Sequence, residues 1–163
     1  MRVLIILRGP PGSGKSEVAK ALKESAGNSN YELLDLDQTI EDKFESNMIV
    51  ALDKEFVVGE MHFGDGHTTE PEMWIRRFRE KDYKMLSVVL RVCFDTCVKR
   101  AICREKHPLI PTDAIRQFNL FYQKYQNIFV HKTKVEEIWV NNENKNPSEV
   151  AKEIIINSTS VCS

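Results

Sequence analysis

The residues Gly9-Pro10-Pro11-Gly12-Ser13-Gly14-Lys15-Ser16 carry the spacing G-x-x-x-x-G-K-[ST]. Each residue type in that spacing has a chemical task. Gly9, Gly12 and Gly14, with Ser13 between them, let backbone N–H groups turn inward around a phosphate. Lys15 reaches the β- and γ-oxygens, and the Ser16 hydroxyl ligates Mg²⁺. A helix that follows directly aims its positive N-terminal end at the same anion. The chemistry is capture of a nucleoside triphosphate, ATP above all, as its magnesium complex.

Transfer of a phosphoryl group needs three further groups: a base for the acceptor, a metal shell and cations for the moving charge. Asp35 and Asp37 close an apolar segment, at the sheet edge where ligands sit in open α/β folds. Either can take the proton of an acceptor hydroxyl, and the competing role for Asp37 is to cap a following helix. Glu60 ends the run Phe56-Val57-Val58-Gly59, a position suited to the Mg²⁺ shell, with Asp65 as its competitor. His62 and His67 flank Asp65 in a loop better suited to touching substrate than to holding a metal. Arg100 and Arg104 are spaced i, i+4 and share one helix face. With the prolines at 108 and 111 they describe a lid over about residues 100–111, and Arg116 is a further candidate cation.

These groups need elements to position them. Apolar runs alternate with amphipathic stretches, which is an α/β pattern. Strands are predicted at Val3–Leu7, Tyr31–Leu36, Phe56–Met61, Met85–Val92 and Ile138–Val140, giving a parallel sheet of about five strands. Helices are predicted from Ser16 to Lys23 and, behind the capping box Thr69-Glu70-Pro71-Glu72, to about Lys81. Others run from Phe94 to Arg104, from Pro111 to about Tyr125, and onward from Asn146-Pro147-Ser148-Glu149. The polar residues Asn157 to Ser163 read as a fraying tail. Residues 1–158 are expected to form a single domain, with 159–163 outside it.

Composition narrows the partners. The 163 residues carry a net charge of −1, which argues against bulk-charge binding to nucleic acid. The charge is unevenly spread, with a net of −8 over residues 31–65 and +6 over 76–106. No apolar run exceeds the five residues of Val3–Leu7, far short of a membrane span. Arg2 leads straight into a strand pattern without a secretory signal, and the four cysteines have no framework spacing. A cytoplasmic location without membrane partners is expected.

Two segments carry a family resemblance. Val3-Leu4-Ile5-Ile6-Leu7 followed by GPPGSGKS resembles the small P-loop kinases. Val98-Lys99-Arg100, Arg104 and Pro111-Thr112-Asp113-Ala114-Ile115-Arg116 are similar to the lid of phage-type polynucleotide 5′-hydroxyl kinases. Chloramphenicol phosphotransferases and zeta-toxin kinases share that plan. The resemblance implies a three-layer fold with Lys15 on the phosphates and Ser16 on magnesium. It implies Asp35 or Asp37 as acceptor base and Arg100 or Arg104 as lid cations. Two positions depart from the pattern: Gln38 or Ile40 stands where those kinases place an arginine after the base. Gly59-Glu60-Met61-His62 stands where an Asp-Gly-Thr or Asp-Thr-Asn is usual. The expected activity is ATP-dependent phosphoryl transfer to a hydroxyl or phosphate acceptor, with a nucleotide or nucleic-acid end favoured. The alternatives are a small metabolite or antibiotic as acceptor, or a slow ATPase acting through a partner.

Overall fold

The computed structural model describes residues 1–27, 30–38, 40–62 and 71–160. Asp65, His67 and the Thr69-Glu70 half of the capping box lie outside the described residues. The strands are β1 (Val3–Arg8), β2 (Tyr31–Asp35), β3 (Phe56–Met61), β4 (Lys84–Arg91) and β5 (Glu136–Asn141). They form one sheet in the order β2-β3-β1-β4-β5, and every pairing is parallel. Chain order moves from β1 to one side of the sheet and then to the other. The carboxyl ends of β1 and its neighbours β3 and β4 therefore border the crevice of the fold.

The period-2 geometry of a strand divides β1 between two cores. Val3, Ile5 and Leu7 face α1 (Lys15–Ala26) and α7 (Pro147–Ser160), packing with Val18, Leu22, Val150 and Ile154. Leu4 and Ile6 face α2 (Glu41–Ala51), α3 (Pro71–Glu80) and α6 (Gln126–Thr133), packing with Phe44, Met48, Phe78 and Phe129. Burial on both faces is why β1 has no polar alternation. Burying each of these aliphatic side chains contributes roughly 1.5–3 kcal/mol. The remaining helices are α4 (Phe94–Cys103) and α5 (Pro111–Leu120).

Three features depart from the sequence expectation. The first is α2, entertained only as a helix that Asp37 would cap: it starts at Glu41, and its apolar residues Phe44, Met48 and Ala51 recur at helical spacing inside a strongly acidic stretch. The second lies beyond Tyr125, where the long helix does not stop. A π-helical turn at Phe121–Tyr125 joins α5 to α6, and Lys134, at φ 56°, ends it in a left-handed conformation. The third is the tail, whose start moves. α7 continues to Ser160, and the Ser158, Thr159 and Ser160 hydroxyls donate to carbonyls three or four residues back. Among the described residues no helix is long and apolar enough to cross a membrane.

Candidate functional site

The turn between β1 and α1 is shaped by close packing. Gly12 and Gly14 have φ of 87° and 92°, a region that β-carbons disfavour. A methyl on Gly12 would overlap the Cys97 carbonyl oxygen and stand 3.0 Å from the Ala101 amide nitrogen. A methyl on Gly14 would stand 2.5 Å from Asn142 Nδ2. Ser13 N–H donates to the Pro10 carbonyl at 3.1 Å, and Asn142 Nδ2 donates to the Ser13 carbonyl at 2.7 Å. The buried Cys97 thiol donates to the Pro11 carbonyl at 3.1 Å. Asn142 was missed in the sequence; its one signal is an Asn directly after the last strand.

Lys15 opens α1 and is buried, its ammonium donating to the Gly9 carbonyl at 2.7 Å and the Pro10 carbonyl at 3.1 Å. Desolvation pulls its pKa down to about 8, against the opposing pull of Glu60 and Asp37. The cation is thus costly where it stands, and an anion of high charge would relieve that cost.

The β3 end places a carboxylate beside Ser16. Ser16 Oγ donates to Glu60 Oε2 at 3.5 Å, a long contact, while Glu60 Oε1 is buried without a hydrogen-bond partner. Burial pushes the Glu60 carboxyl above its ordinary range, with Lys15 and Ser16 opposing. A buried carboxylate oxygen beside a hydroxyl fits Mg²⁺, which takes few protein ligands and completes its shell with phosphate oxygens and water.

The β2 end supplies two carboxylates with different surroundings. Asp35 is the register partner of Glu60, and its Oδ1 accepts from the Asp37 N–H at 3.0 Å. Asp37 does not cap α2. That helix starts at Glu41 behind Ile40 with no side-chain cap, and Asp37 Oδ2 instead accepts from the His62 N–H at 2.6 Å. The same oxygen lies 3.6 Å from His62 Nδ1. Burial, then Lys15 and Arg104, holds the His62 pKa well below its ordinary value. The neutral imidazole is thereby favoured over the cation beside Asp37.

Arg100 and Arg104 come from the end of α4, whose backbone presses on Gly12. Arg104 is the C-cap of α4 and lies just outside the helix; its Nε donates to the His107 carbonyl at 2.6 Å. One cleft of about 690 Å³ gathers Gly12, Gly14, Lys15 and Ser16 with Asp35, Asp37, Glu60, Arg100 and Arg104. His62 and His107 also line it, whereas Gly9 and Ser13 shape the turn without lining the cleft. Arg116 is not among its lining residues and pairs with Asp113 at 3.2 Å.

Behind the loop, Arg8 is fully buried. Its Nη1 donates to Glu137 Oε2 at 2.6 Å, and its Nη2 donates to the Tyr125 and Gln126 carbonyls at the end of the π turn. The Phe129 ring lies 4.5 Å from its guanidinium carbon. Burial lowers its pKa to about 10, and the cation holds the last residue of β1 against β5 and α6.

The chain is similar to known kinases in sequence and in fold. It is 26% identical over 180 residues to cytidylate kinase of Sulfurisphaera tokodaii, covering 92% of each chain. It superposes on shikimate kinase from Acinetobacter baumannii with a TM-score of 0.59 at 18% identity, over 98% of this chain and 94% of that one. It superposes on deoxyadenosine kinase from M. mycoides with a TM-score of 0.57 at 16% identity, over 97% and 100%. No protein-family model matches the chain. The fold is that of the small P-loop kinases.

Proposed function

We propose that this chain is a Mg²⁺- and ATP-dependent phosphotransferase whose acceptor is a hydroxyl compound. The observation that carries the reading is the cleft itself: a phosphate loop, a metal-side carboxylate, two acceptor-side carboxylates and two lid arginines share one 690 Å³ space. Residues 1–158 act as one kinase domain, with residues 100–111 as its lid.

Lys15 and the loop N–H groups hold the triphosphate, with α1 pointing at it. Ser16 and Glu60 hold the magnesium, which supplies neutralisation of phosphate charge. Asp35 sits beside Glu60 and keeps the β2 turn closed through the Asp37 N–H. Asp37 is oriented by the His62 N–H and takes the acceptor's proton. The acceptor oxygen bonds to the γ-phosphorus, the bond from phosphorus to the bridging oxygen breaks, and ADP leaves with that electron pair. Arg100 and Arg104 close over the moving phosphoryl group and stabilise the charge it spreads. One similar fold is named deoxyadenosine kinase, which supports a nucleoside-type hydroxyl, whereas the cytidylate kinase it resembles in sequence is named for a phosphate-bearing acceptor.

The test is a transfer screen with γ-labelled ATP and Mg²⁺ over nucleosides, nucleotides, oligonucleotides and small alcohols. Label in an organic ester is the expected result. Label found only in inorganic phosphate contradicts the reading.

A further inference from the structure

We infer that the chain carries a second ligand site, separate from the phosphate-loop cleft, which takes a planar heteroaromatic ring bearing an anionic group: a free mononucleotide by chemical class. The site does not depend on the phosphotransferase reading.

It is a cleft of about 630 Å³ at the carboxyl ends of β4 and β5, walled by α4, α5 and the π-helical turn. None of its lining residues lines the phosphate-loop cleft. Its size and largely aromatic lining are those of a small-molecule pocket. The rings of Phe94, Phe118, Tyr122 and Trp139 run in one connected series, with successive centroids 5.1, 4.8 and 6.2 Å apart. Both ends of the series stand open to solvent, Phe94 by 39% and Trp139 by 42%. These exposed faces are apolar surface that a flat ring can cover.

The rings are held in place. Trp139 Nε1 donates to Glu137 Oε1 at 3.2 Å, and the Tyr122 hydroxyl donates to the Leu90 carbonyl at 3.5 Å. Fixing these polar tips leaves the ring faces for stacking and reduces the ordering that binding would cost. Tyr122 belongs to the π-helical turn, a break in regular geometry that is frequent at functional sites.

The polar groups decide the charge of the ligand. Glu143 is the acid in the lining, and its oxygens are already engaged. They accept from the Cys93 N–H at 2.7 Å, the Cys93 thiol and the Thr96 hydroxyl, all at the start of α4. The Arg91 guanidinium lies 5.7 Å from the centre of the Trp139 ring and makes no hydrogen bond or ion pair among the described residues. Asn141 Oδ1 accepts from the Glu143 N–H at 2.8 Å, and the Asn141 amide donors have no partner among the described residues. Unspent donors, a cation and aromatic faces thus share one cleft whose carboxylate is spent. An arginine fork suits an anion such as phosphate. The rings suit a base, and the Asn141 amide suits a ring nitrogen or ring carbonyl. A ring without charge leaves Arg91 unmatched, and an anion without a ring leaves the aromatic faces wet.

The test is a titration of the full chain followed by tryptophan fluorescence. Trp74 is buried and Trp139 is exposed, so a ligand stacking in the cleft quenches Trp139. The probes are adenosine 5′-monophosphate, adenosine and ribose 5-phosphate. Saturable quenching by the nucleotide is expected, with a Kd at least about tenfold lower than that of either part alone. Arg91→Ala should raise that Kd at least about tenfold without lowering thermal stability. Trp139→Leu, followed by calorimetry, should lose the same binding. Lys15→Ala, which disables the phosphate loop, should leave it within about twofold. Binding lost in Lys15→Ala but kept in Arg91→Ala would place the nucleotide in the phosphate-loop cleft and overturn the second site. Adenosine or ribose 5-phosphate bound as tightly as the nucleotide would overturn its ligand class. A single-stranded oligonucleotide bound more than about tenfold tighter than the mononucleotide would overturn the free-nucleotide assignment.

Discussion

Gly12 and Cys97 meet backbone to backbone: a methyl group on Gly12 would occupy the space of the Cys97 carbonyl oxygen. The phosphate loop and α4 are therefore one packed unit, and α4 carries Arg100 and Arg104 at its far end.

Gly12→Ala should break that unit. It combines a φ of 87° with a backbone overlap that no rotamer relieves. Gly27 provides the control, with a φ of 80° and open space where its β-carbon would go. Gly27→Ala should cost about 1–3 kcal/mol from backbone strain alone. Gly12→Ala should cost more and should also weaken ATP binding. Thermal unfolding and nucleotide titration of both variants check this; equal losses would remove the packing argument.

Nucleotide affinity should depend on pH through Lys15. Its pKa is lowered, to about 8, so below that pH the free protein already presents an ammonium. Above it, binding the triphosphate must take up a proton. Apparent ATP affinity should be level from about pH 7 to 8 and then fall, approaching about tenfold per pH unit. Lys15→Ala should bind ATP at least tenfold more weakly and lose this slope. Calorimetric titration across pH 7–10 reads both.

Much of this architecture was legible in the chain. The phosphate loop fixes its own context, because its spacing works only between a strand and a helix, and β1 and α1 stand there. Asp35, Asp37 and Glu60 were legible as acids closing apolar runs, since strand ends in a parallel sheet converge on one edge. The β2 and β3 pairing now sets Asp35 opposite Glu60. What was not legible depended on partners distant in sequence. Phe44, Met48 and Ala51 signal α2 at helical spacing, but the acids around them mask the pattern. The π turn answers to Arg8, more than a hundred residues away, whose guanidinium takes up the Tyr125 and Gln126 carbonyls. Asn142 buttresses the loop from the end of β5, a contact that no local pattern announces.

Glu137→Gln should be strongly destabilising. It leaves the Arg8 cation buried with its charge partner gone, a change that typically costs about 3–5 kcal/mol. Arg8→Met with Glu137→Leu, which removes both charges, should recover a large part of the loss. Denaturant unfolding of the single and double variants measures the difference. A Glu137→Gln protein as stable as wild type would show that the pair is not what holds β1 to β5.

The lid arginines should act late. Cations that meet the phosphoryl group mainly near the transition state lower the barrier more than they tighten the ground state. Arg104→Ala should reduce kcat at least tenfold and change ATP affinity less than threefold, about 0.7 kcal/mol. Hydrogen exchange over residues 100–111 should slow on adding a non-hydrolysable ATP analogue with Mg²⁺. Equally slow exchange with and without nucleotide would mark the segment as a rigid basic face.

The central claim is that one cleft holds separable donor and acceptor machinery, and Asp37→Asn tests it most directly. Phosphoryl transfer and ATP affinity should be measured side by side on the wild-type chain and on this variant, with Asp35→Asn as comparison. The account predicts a fall in transfer of about two orders of magnitude for Asp37→Asn, with ATP affinity within about twofold of wild type. Transfer left intact, or transfer and ATP affinity lost together in a folded protein, would contradict it.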